Sequence, residues 1–146
     1  MNSASTTMFL AEAILKTADL LGLSNTQLAA VMGLDLMSMN QIEFSAVLEP
    51  ASTHGEAGLL LIRLYQSLSA LTGGDSEWID YFMNAFNTAT NGVPIQQIQT
   101  REGLEKVLTV VEALSNNSCI SFAIYFLKYS LNFIEMKFYN ILIFFN

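Results

Sequence analysis

From Leu59 to Leu71 the chain is apolar on nearly every side of a helix, with only Arg63, Gln66, Ser67 and Ser69 interrupting. A helix with so little polar surface cannot lie on the outside of a small domain. It must be central, packed by other helices or shared with a second copy of the chain. Thr53 and Glu56 have the spacing of a capping box that would open it, and Gly73 with Gly74 would close it. One greasy helix wrapped by amphipathic neighbours is an all-α expectation, and the rest of the sequence supplies the neighbours.

Leu10, Ala13, Ile14, Thr17 and Leu21 recur at i, i+3, i+4 and predict a helix over 8–21, ended by Gly22. Ser24 with Gln27 forms a second capping box, opening a helix that runs to about Met32, where Gly33 breaks it. Asp35 then caps a third helix reaching to near Phe44, before the turn-rich stretch from Pro50 to Gly55. Beyond the central helix, Asp75 caps a segment with Trp78, Phe82 and Phe86 at helical spacing, read as core. The stretch from Asn87 to Val93 is a loop, and Pro94 suits the first turn of a short helix. Thr100 caps the last regular helix, whose stripe is Leu104, Val107, Leu108, Val111 and Leu114.

This pattern divides the chain into residues 1–72, a helix-turn-helix and dimerisation unit, and residues 73–117, a small helical unit. Residues 118–146 form an apolar tail of Phe, Ile, Tyr, Asn and Lys without a clean period. In the tail Lys128, Glu135 and Lys137 interrupt the apolar run, so no membrane span is expected. The lone cysteine, Cys119, has no intrachain partner, and the start of the chain lacks a basic, apolar and cleavable leader; both point to a reducing cytoplasm.

Catalytic chemistry finds no candidates. His54 is the only histidine and stands at a helix start, where a capping or surface role is the ordinary one. No Cys/His cluster suits a metal, and no cofactor motif occurs. Asp75, Glu77 and Asp80 lie in or near a first helical turn, where carboxylates favour the helix dipole. Arg63, alone in the greasy helix, is expected to bond a carboxylate or carbonyl within the fold or across a dimer.

The segment Asn25 to Ile42 has helix-turn-helix form, with Leu28, Ala29, Met32, Gly33, Leu34, Met39 and Ile42 at the anchor and turn positions. Its second helix would present Leu36, Met37, Asn40 and Gln41 to a groove, leaving Ser38, Asn40 and Gln41 as the polar DNA-binding candidates. No Lys or Arg occurs between Lys16 and Arg63, and the chain carries a net charge of −7. DNA binding by the chain alone should therefore be weak, because few phosphates can be neutralised.

The order of these parts, followed by Phe82-Met-Asn-Ala-Phe-Asn-Thr-Ala-Thr-Asn-Gly-Val-Pro-Ile95 and Gln99-Thr-Arg-Glu-Gly103, resembles the Xre/ParS/MbcA type of bacterial antitoxin from about Asn25 to Leu114. Phe82 stands where that family usually has Trp, and Phe86 where a Pro often precedes the Asn. The resemblance implies a toxin-binding module in which Asn87, Gly92, Pro94, Thr100 and Gly103 hold recurrent positions; the loop set by Gly92 and Pro94 and the helix capped by Thr100 would present Asn87, Ile95 and Arg101 to the partner. It also implies a cognate toxin, commonly an NAD-consuming RES-domain protein, together with homodimerisation and repression of the shared operon. Two other readings compete: a stand-alone helix-turn-helix regulator, opposed by the missing basic residues, and a peripheral membrane protein held by the tail.

Overall fold

The computed structural model describes residues 3–39 and 48–116, and among these the fold is all-α. Helix α1 spans Ser3–Leu20, α2 Asn25–Met32, α3 Leu36–Met39, α4 Thr53–Thr72, α5 Ser76–Asn84, α6 Pro94–Gln97 and α7 Arg101–Asn116. The expected end of the third helix near Phe44, together with Asn40, Gln41, Ile42 and the tail 118–146, lies outside the described residues.

Local chemistry sets most of these boundaries. The Ser24 hydroxyl accepts from the Gln27 backbone N–H at 3.2 Å while the Gln27 side chain accepts from Ser24 N–H at 2.8 Å, so the α2 capping box is complete. Gly33, at φ 66, closes α2 in the left-handed region. His54 reaches back from the first turn of α4 and donates through Nδ1 to the Met32 carbonyl at 2.6 Å, tying α4 to the C-terminal end of α2. The α4 cap is displaced by one residue from the sequence expectation: Ser52, not Thr53, is the N-cap, and its hydroxyl accepts from Gly55 N–H at 3.0 Å. Both neighbours carry the hydroxyl that an N-cap needs; Ser52 takes the extended conformation, and the expected box does not form because Gly55 stands three residues after it.

Helix α4 is the central element. Its Leu61, Leu64 and Leu68 are fully enclosed, and it packs against α1, α2, α5 and α7. Enclosing each leucine contributes about 2 kcal/mol. The chain thus covers α4 largely by itself: of its large apolar side chains only Leu59 is exposed among the described residues. Of the two expected ways of burying this helix, packing by other helices of the same chain accounts for it. The reason is that α7 packs its own stripe of Leu104, Val107, Leu108 and Val111 into the cluster that encloses α4, alongside α1.

Two ion pairs fix the direction of α7 on α4. Arg101 at the start of α7 meets Glu56 at the start of α4, with 3.5 Å between Nη2 and Oε2. Farther along, Arg63 grips Glu112 through both nitrogens, Nε to Oε1 and Nη2 to Oε2, the latter at 2.9 Å. The two helices therefore run side by side in the same direction, and α5 with α6 forms the return between them. The carboxylate partner expected for Arg63 is Glu112 of the same chain. A single hydrophobic cluster extends from Leu10 on α1 to Val111 on α7, so it crosses the boundary drawn at residue 72.

Candidate toxin-binding face

The return between α4 and α7 ends in a loop closed on itself. Asp75 caps α5 by accepting from the N–H groups of Glu77 and Trp78 at 2.9 and 3.3 Å, which accounts for this carboxylate as a helix-dipole partner. Asp80 binds the Asn84 amide at 3.0 Å, and no convergent metal-binding group of three His, Cys, Asp or Glu side chains occurs among the described residues. Helix α5 stops at Asn84 because Ala85 turns to an extended conformation, φ −91 and ψ 154.

That stop changes the fate of Phe86. Trp78, Phe82 and Phe86 share a face only while the helix continues; Phe82 is buried and Trp78 half-buried against Tyr81, but Phe86 is 63% exposed. The expectation that Phe86 belongs to the core is overturned by the loss of helical phase one residue earlier.

Next, Asn87 and Gly92 exchange backbone hydrogen bonds in both directions, at 2.7 and 3.1 Å. The Asn87 Oδ1 accepts from the N–H groups of Ala89 and Thr90, at 2.9 and 3.3 Å. This is an Asx turn, the local chemistry that makes Asn a turn residue. Thr90 is fully buried inside the loop, its hydroxyl donating toward the Asn87 carbonyl at 3.3 Å. The left-handed position of the loop is Asn91, at φ 55, rather than Gly92. Gly92 is required for a different reason: a Cβ there would lie 2.7 Å from Nε2 and 2.8 Å from Cδ of Gln97.

The remaining candidates divide by burial. Pro94, at the first position of α6, and Ile95, 7% exposed, are both buried, so in the chain alone Ile95 offers little side-chain surface to a partner. Thr100 caps α7, accepting from Gly103 N–H at 3.1 Å. Gly103 is a point of closest approach, since a Cβ would stand 1.9 Å from the Gln97 carbonyl oxygen. Arg101 is exposed and bonded to Glu105 at 2.7 Å and to Glu56; the Glu105 bond foremost holds its guanidinium above its ordinary pKa. Phe86, Thr88, Asn91, Thr100 and Arg101 are exposed, and Asn87 is half-buried. Phe86, Thr88 and Asn91 were missed by sequence reasoning. The signal that could have found them is the Asn-x-x-x-Asn-Gly turn, which turns the residues flanking Asn87 outward.

The DNA-binding candidates are less completely placed. Ser38 lies on α3, where its backbone N–H donates to Asp35 at 2.7 Å; that bond, with a second from its hydroxyl, holds the Asp35 carboxyl below its ordinary pKa. Asn40 and Gln41 lie outside the described residues. Beside the polar Asn25, Thr26 and Asp35, this unit exposes two large apolar side chains, Leu36 at 45% and Met37 at 73%.

No helix among the described residues is long and apolar enough to cross a membrane. No curated protein matches the chain. A family model described as the antitoxin Xre/MbcA/ParS C-terminal toxin-binding domain matches residues 67–116, from the last turns of α4 to the end of α7. The match begins inside α4 rather than after it, and Leu68 on those turns is fully enclosed in the same hydrophobic cluster as the α7 stripe. Residues 67–116 are thus similar to the C-terminal toxin-binding domain of Xre/MbcA/ParS antitoxins.

Proposed function

We propose that this chain is the antitoxin of a type II toxin–antitoxin system, that it neutralises a RES-domain, NAD-consuming toxin by direct burial, and that the contact is made by the face around Asn87. The observation that carries this reading is the exposure of Phe86 beside a closed, hydrogen-bonded loop within the matched residues. A large aromatic held on a rigid turn loses little entropy on binding and fits the description of an interface anchor. Asn87, Thr100 and Arg101 supply polar contacts at its edge, while Gly92, Pro94, Ile95 and Gly103 shape the support. The RES identity of the toxin rests on the resemblance in the sequence.

Homodimerisation is a further part of the proposal, supported by the outward apolar residues Met8, Phe9, Leu15 and Leu20 on α1. Repression of the operon is expected to need that dimer or the bound toxin, since α2 and α3 bring no Lys or Arg to phosphate. The chain itself is expected to act as a binding protein in the cytoplasm, without catalysis.

The test is a Phe86→Asp chain co-expressed with the toxin encoded beside its gene. The reading predicts that complex stability falls by about 2 kcal/mol or more, about thirtyfold in Kd, with protection of the cells lost and the far-UV circular dichroism unchanged. Full protection by Phe86→Asp would remove the anchor from the account.

A further inference from the structure

Gln97 was not among the residues singled out by sequence, yet the candidate face is built on it. Its Nε2 donates to the Thr90 carbonyl at 2.8 Å, reaching across seven residues into the middle of the loop. Its side chain occupies the space that makes Gly92 a glycine, with Nε2, Cδ and Cγ at 2.7, 2.8 and 3.2 Å from where a Cβ would stand. Its carbonyl accepts from the Thr100 hydroxyl at 3.2 Å and lies against Gly103. The side-chain Oε1 is enclosed and has no donor among the described residues, so the amide is held by one hydrogen bond and by shape. One residue thus connects Thr90, Gly92, Thr100 and Gly103, two of them in the loop and two at the start of α7.

From this we infer that Gln97 is a positioning residue for toxin binding: it sets the attitude of the loop 86–92, and through it the direction of Phe86, without itself touching the partner. The inference rests on the reading of this face as the toxin-binding one. The physical argument is that Asn87 and Gly92 close the loop on itself but do not attach it to the helices. Besides its covalent ends, the side-chain bond that joins the closed loop to α6 is the one from Gln97 to Thr90. A closed loop that can pivot presents its aromatic in many directions, and binding then carries the entropic penalty of fixing one of them.

Gln97→Met keeps the length and bulk of the side chain and removes the donor. It leaves the Gln97 carbonyl, and hence the contact with Gly103, in place. In the full chain the variant is expected to bind the co-encoded toxin about tenfold more weakly, as for the loss of one buried hydrogen bond, with amide exchange accelerated at Ala89, Thr90 and Gly92 and unchanged in α4. A Phe86→Ala, Gln97→Met double variant should bind no more weakly than Phe86→Ala alone, because Gln97 acts through Phe86. Gly92→Ala should also weaken binding, and Gly92→Ala with Gln97→Ala should recover part of it by vacating the occupied space. Additive effects of Phe86→Ala and Gln97→Met on toxin affinity, or a Gln97→Met chain that binds as the parent does, would overturn the positioning role while leaving the functional reading intact. A parent chain that binds no toxin would overturn both.

Discussion

A Gly103→Ala chain is expected to be less stable than the parent by about 3 kcal/mol, and to lose toxin binding with that stability. The direction is opposite to the ordinary one. Alanine in a helix is favoured over glycine by about 1 kcal/mol, and Gly103 lies in the first turn of α7. Here the added Cβ would stand 1.9 Å from the Gln97 carbonyl oxygen, 2.6 Å from its carbon and 2.9 Å from the Thr100 hydroxyl. Two of those atoms are backbone, which cannot swing aside as a side chain can. Relief requires α7 to draw away from α6, and that movement breaks the bond from the Thr100 hydroxyl to the Gln97 carbonyl as well. Chemical denaturation followed by Trp78 fluorescence measures the effect, since the only tryptophan of the chain sits in neighbouring α5. A Gly103→Ala chain as stable as the parent would mean that α6 and α7 do not meet so closely.

The second large effect is expected from Leu64→Ala. Leu64 is fully enclosed at the middle of α4, and its removal should cost about 3 kcal/mol, or more than about 10 °C in Tm. What distinguishes the account is the form of the transition. Far-UV circular dichroism reports all the helices, whereas Trp78 fluorescence reports the surroundings of α5. Because a continuous cluster joins α1, α4 and α7, both signals should move to the same lower midpoint. Two separated transitions would instead favour a boundary near residue 72 between independently folding units.

The elements legible in the sequence were those whose cause is local. Ser24 with Gln27, Gly33, Asp75, Pro94 and Thr100 each act within a turn of their own position, and each stands in the structure where the sequence rule puts it. Ser52 displaced Thr53 although only Thr53 has Glu three residues later, because both carry a capping hydroxyl and backbone conformation chooses between them. The rest depended on contacts distant in sequence. The helical spacing of Trp78, Phe82 and Phe86 held for the first two and failed for the third, once Ala85 left the helix. In the loop it is Asn91 that takes the left-handed conformation, whereas Gly92 yields space to Gln97. Gln97 itself carries no signal in a sequence, since its importance comes from a side chain meeting a backbone carbonyl seven residues earlier. The cover that α7 provides for α4 was equally hidden, because the sequence displays two apolar stripes without displaying that they face each other.

The most direct measurement of the central claim is amide hydrogen exchange of the full chain, alone and saturated with the proposed cognate toxin. The account predicts that toxin slows exchange at Ala85 to Asn91 and across the first turn of α7, at Arg101 to Leu104, with α1 and α2 unchanged by the toxin except through any dimer contact. Protection confined to α1, α2 and α3, with the loop around Asn87 exchanging as it does in the free chain, would contradict it.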